Sequence, residues 1–237
     1  MFRRNYLVKT FSEIALEQFQ MLRENYKKIE SLEKMCGEAV ALQHEICSNY
    51  VTTITFSAMA LEAFLNDYAA NNMGDKYFYA NFENLRPTAK LQLISKIVFN
   101  TTVDTGGKLF FYMEQLFRDR NSLVHCKSQK ARGMSEEEYE SFQQFLESKE
   151  DAELWLITQE ENLNIDEEKK LKGKAYDAVR ALIEVANYID LHDDSAIATA
   201  QLVCAGWYVD SFGQKYKRIK ELQKFLGINP IICPDDK

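Results

Sequence analysis

Within positions 118–125 the chain carries Arg118, Arg120, Asn121 and His125. A guanidinium presents a planar fork of donors that suits oxyanions, and an imidazole exchanges protons near neutral pH. These residues lie in the stretch KLFFYMEQLFRDRNSLVHCK, 108–127. On a helical wheel, Leu109, Phe110, Met113, Leu116, Phe117, Leu123 and Val124 form an apolar face. Arg120 falls between them, four after Leu116 and four before Val124. Arg118, Asn121 and His125 project together, because 118 and 125 are seven apart and 121 and 125 four apart. A lone arginine in such a stripe costs stability unless it is paired or faces a cleft. Local rules broken at one place point toward function. The plain alternative is that both arginines are solvated and His125 caps the helix C-terminus, where a cation is welcome.

The elements that must position these side chains are helical. Residues 12–44 show apolar steps of three and four through Ile14, Leu16, Phe19, Leu22, Tyr26, Ile29, Leu32 and Met35. Ser12 followed by Glu13 reads as the start, with Gly37 as an interruption. A second helix is expected over about 46–71, with Val51, Ile54, Ala58, Leu61, Leu65 and Tyr68 inward. Residues 71–88 read as a loop, after which Pro87 and Thr88 open a short helix bearing Leu91, Ile94, Ile97 and Val98. The segment NTTVDTGGK is a turn-rich connection into the helix at 108–127. A helix is expected at 135–148, after Gly133 and Ser135, and a clear one at 174–191 with Val179, Leu182, Ile183, Ala186 and Ile189 inward. Residues 195–226 look helical and amphipathic. The expectation is an all-α, up-and-down bundle forming one domain over 1–237.

Composition bounds the function. The hydrophobic content of 46% is ample for a core, and 9 Gly and 3 Pro are too few for a many-turned sheet. No run reaches membrane-span length, and the N-terminus lacks a signal-peptide apolar core, so a cytoplasmic protein without a membrane partner is expected. The five cysteines are odd in number and form no CxxC pair, which favours reduced thiols. A net charge of −7 argues against a general nucleic-acid coat. It leaves room for a local site: Arg118, Arg120, Lys127, Lys130 and Arg132 face Asp119 alone over 118–132, a charge of +4. A second basic run of +4 lies at 215–224. LHDDS at 191–195 lacks the further spaced histidines that metal phosphohydrolysis needs. DTGGK lacks P-loop spacing. Trp155 and Trp207 read as core residues. No cofactor and no metal site are expected.

The order Arg120-Asn121-Ser122-Leu123-Val124-His125, R-N-x-x-x-H, resembles the signature of HEPN domains, the higher-eukaryote and prokaryote nucleotide-binding family. The asparagine directly after the arginine, the Leu-Val before the histidine and the position at the end of a helix strengthen it. The upstream FSAMALEAFLND, 56–67, resembles the family's earlier core helix. The resemblance implies a HEPN-like core at about 45–191, with additional N-terminal helices, an acidic insertion at 133–172 and a C-terminal helical extension at 195–237. It implies metal-independent RNA cleavage through 2′-OH attack. His125 would move the proton, Arg120 would hold the phosphoryl oxygens, and Asn121 would orient the ring or bond phosphate. Glu62 would support from the neighbouring helix, or is a plain surface residue. Arg118 would assist, and Lys127, Lys130 and Arg132 would bind RNA. It further implies a homodimer with a shared cleft, in a toxin–antitoxin or anti-phage defence role, with an antitoxin or regulatory protein as partner. The alternative is a non-catalytic HEPN module that binds nucleotide, RNA or a protein.

Overall fold

A computed structural model describes residues 5–29, 37–124, 165–193 and 198–203. They form helices α1 (Asn5–Ile29), α2 (Gly37–Met73), α3 (Asp75–Asn81), α4 (Pro87–Ile97), α5 (Lys108–Val124) and α6 (Ile165–His192), followed by a π-helical turn at Thr199–Val203. The fold is all-α, and no strand occurs among the described residues.

The long α2 is the centre. It packs on α1, α4, α5 and α6, and its Ile54, Leu61, Phe64 and Leu65 are fully enclosed. Residues 52–55 are a β-branched run that helices tolerate poorly in isolation. Burial overrides that preference, and the Thr53 hydroxyl donates to the Asn49 carbonyl at 2.7 Å, so it is satisfied inside the core. An amide cluster fixes α1 against α2 in antiparallel register: Asn49 donates to Gln18, and Asn25 to Glu45 and Asn49. Helix α5 runs antiparallel to α6, with Tyr112 under Arg180 and Asp119 beside Lys174.

Two connections position the site. Gly74 has φ 88°, a conformation L side chains rarely adopt, and it joins α2 to α3. Before α5, Asp104 caps a tight turn by accepting the Gly106 N–H at 2.9 Å. A Cβ on Gly107 would stand 2.9 Å from the Asp104 carboxylate, too close for any other residue to fit undisturbed.

The sequence expectations need several corrections. Ser12 is no helix start: it lies inside α1 with its hydroxyl buried, a small side chain on a packed face. Residues 37–44 belong to α2, because the periodic pattern continues through both helices and Gly37 opens the second. The loop read at 71–88 contains α3, anchored by the enclosed Phe78; two turns carry too little periodicity to announce themselves. Val51 and Ile97 face outward, 40% and 50% exposed, as does Val124. Helix α6 starts at Ile165, inside the stretch read as an insertion. The helix read at 135–148, both tryptophans and residues 204–226 lie outside the described residues.

Candidate functional site

The C-terminal half of α5 meets the middle of α2 and the start of α4 at an open cleft of about 420 Å³. Among the described residues, its lining is Glu62, Arg86, Pro87, Thr88, Glu114, Phe117, Arg118, Arg120 and Asn121. Each wall follows from local sequence. In α2, Leu61 and Leu65 are enclosed, which leaves Glu62 at the edge of the packed face. In α4, Pro87 occupies the first helical turn, where its missing N–H costs nothing. In α5, Phe110, Met113, Leu116 and Asp119 are buried at steps of three, so the opposite side carries Glu114, Arg118 and Asn121 into solvent.

The structure brings four of the expected site residues together. Arg120 pairs with Glu62 at 3.3 Å and donates to the Asn121 side-chain oxygen at 2.9 Å. Its remaining N–H donors have no partner among the described residues. Arg118 is exposed on the same lining and forms no ion pair with a described residue. His125, Lys127, Lys130 and Arg132 lie outside the described residues. Among the described residues of the cleft, Arg86, Arg118 and Arg120 stand against Glu62 and Glu114, a balance of one positive charge.

Three charged residues escaped the sequence reading. Asp119, counted there only as a counter-charge, is 5% exposed and is the buried polar residue of the α5 face. Lys174 approaches it at 3.0 Å and Gln115 donates to it at 2.9 Å. Spacing could have found it, since 110, 113, 116 and 119 continue one series. Its charge also assists burial in pushing the Tyr50 hydroxyl up to about 12. Lys90, one turn into α4, is 1% exposed. Burial pulls its ammonium below the usual lysine range, while Glu62 and Glu83 oppose that shift. Arg86 gave one signal, its place directly before a helix-starting proline.

The histidine of LHDDS is engaged structurally. His192 stacks on Phe99 with centroids 5.2 Å apart and bonds the Tyr188 carbonyl. The neighbouring Asp193 accepts from the Tyr68 hydroxyl at 2.5 Å. Among the described residues, no group of three or more His, Cys, Asp or Glu side chains is arranged to hold a metal, and no helix is long and apolar enough to cross a membrane. Compared with family models, curated proteins and solved structures, the chain matches none.

Proposed function

We propose that this chain is a metal-independent endoribonuclease of the HEPN type, and that R-N-x-x-x-H at 120–125 is its catalytic motif. The observation that carries the reading is the state of Arg120. Its guanidinium lines an open cleft, is held by Glu62 at one terminal nitrogen and by Asn121 at the other, and has further donors with no partner among the described residues. A bundle arginine serving only stability would spend its donors on protein partners.

In the proposed reaction, the RNA 2′-OH attacks the adjacent phosphorus and the 5′-oxygen leaves. His125 takes the proton from the hydroxyl or returns one to the leaving oxygen, worth about 10²–10⁴-fold in rate. Arg120 binds the equatorial phosphoryl oxygens as charge develops. Glu62 fixes the guanidinium plane, and Asn121 holds its other edge. Two copies of the motif would meet across a homodimer to complete one cleft. A toxin or anti-phage defence effector, acting in the cytoplasm and restrained by an antitoxin or regulatory protein, is the biological role this chemistry fits.

Purified protein should cut RNA in EDTA and leave 2′,3′-cyclic phosphate and 5′-hydroxyl ends. Arg120→Ala and His125→Ala should each lose about two to four orders of magnitude in rate. Cleavage of a substrate with 2′-deoxy at the cut position, or strict dependence on Mg²⁺, would refute the mechanism. Binding without cleavage would establish the alternative, a non-catalytic module.

A further inference from the structure

Arg86 belongs to a different wall of the cleft from the motif arginines, and nothing in the R-N-x-x-x-H pattern accounts for it. Pro87 confines the residue before it to extended backbone, and Arg86 has φ −60° and ψ 147°. It is therefore fixed outside the amino end of α4, and it is exposed. Its side chain makes no hydrogen bond or ion pair with a described residue, and neither does that of Arg118. With Arg120, three guanidiniums share one lining with Glu62 and Glu114 as the acidic groups among its described residues. Such a cluster is a poor arrangement for an empty surface and a good one for anions. The first-turn N–H groups of α4 add a small partial charge of the same sign.

Arg118 and Arg120 leave α5 about 200° apart around its axis, yet both reach this lining, and one phosphate held between them uses both guanidiniums. It leaves Arg86, on α4, unexplained. We infer that the cleft binds two successive phosphates of one single RNA strand, Arg118 and Arg120 taking one and Arg86 the next. The half-buried Phe117 offers an apolar surface for the intervening sugar or base. The cleft is open, with Arg86, Glu114, Arg118 and Asn121 all exposed, so a chain can enter and continue beyond it. The identity of the strand rests on the ribonuclease reading; the placement of the second anion does not.

The test uses the full chain and a fluorescent single strand with 2′-O-methyl sugars, which cannot be cleaved. Anisotropy titrations at several salt concentrations give the affinity and its salt dependence. Arg86→Ala should weaken binding several-fold and make the slope of log K on log salt shallower by about 0.7, one phosphate's worth for a single strand. Arg86→Lys should keep the slope and lose part of the affinity, because the charge remains and the fork does not. Lys96→Ala, the same loss of charge in the last turn of α4, should change neither. An unaltered slope in Arg86→Ala overturns the inference, as does a wild type that binds no single strand. A nucleoside diphosphate that competes as well as the strand also overturns it, since the cleft would then hold one nucleotide. If wild type binds with these slopes but never cuts RNA, the catalytic reading fails and the second phosphate site stands.

Discussion

Asp119 and Arg120 are consecutive, oppositely charged and differently spent. Arg120 reaches Glu62 on α2 and faces the cleft, while Asp119 turns inward to Lys174. Asp119 also acts on Asp177, one turn beyond Lys174. Burial raises the Asp177 carboxyl above its ordinary value, Asp119 adds to the rise, and Arg180 opposes it. The folded chain thus holds that proton more tightly than the unfolded chain. Stability falls as pH climbs from the ordinary 3.8 toward the raised value, and the deficit persists above it. Asp177→Asn should therefore be more stable than wild type at neutral pH, with the advantage fading as pH drops below 3.8. Urea unfolding across that range measures it; a constant difference at all pH values would remove titration as the cause. At this scale the sequence showed Arg118, Arg120 and Asn121 as polar groups bordering an apolar face. It did not distinguish Asp119 as buried: the series 110, 113, 116, 119 carried that signal, but an aspartate between two arginines reads first as their surface counter-charge.

The tie between α5 and α6 is asymmetric. The Asp119 side chain is 6% exposed and that of Lys174 is 39% exposed. Lys174→Met strands a buried carboxylate with Gln115 as its neutral donor, at a cost on the order of 2 kcal/mol after allowing for the lysine's exposure. Asp119→Asn leaves the lysine free to hydrate and should cost about 1 kcal/mol or less. Paired denaturant titrations decide, and equal losses would show that the ion pair does not set the balance. Legibility of the elements followed their periodicity. Helix α6 was readable because Val179, Leu182, Ile183, Ala186 and Ile189 face one core, and all are enclosed. Helix α4 was readable from Pro87 and Leu91. The division between α1 and α2 was not, since apolar steps of three and four run on both sides of it. Val51 was misplaced because α2 is surrounded on several sides, so Thr53 and Ser57 share its interior and no single stripe governs. Helix α3 is anchored by Phe78, enclosed in the core, and its two turns are too short for a periodic stripe to announce it.

For the whole molecule, the reading of a shared cleft makes assembly testable. Light scattering at micromolar concentration should report about twice 27.5 kDa. A strict monomer with full activity would defeat the dimeric mechanism. A heterodimer of wild-type and Arg120→Ala/His125→Ala subunits should retain far less than half of wild-type turnover, because each half-site contribution is several kcal/mol. Activity near one half would mean independent sites. The cleft itself was only partly legible: one wall was visible in 118–121 and Glu62 was named from the neighbouring helix, but Arg86 joins them through packing among α2, α4 and α5. The paired ties of α5 have a mechanical consequence. Consecutive helical residues leave the axis about 100° apart, so Asp119 and Arg120 act as two guy-wires at one height, anchored to different helices. If α5 rolls, it slackens one and stretches the other; if it slides, it strains both. The bundle is cross-braced at the level of the motif, and a change at Lys174, beyond the cleft's lining, should be felt as play in the guanidinium of Arg120.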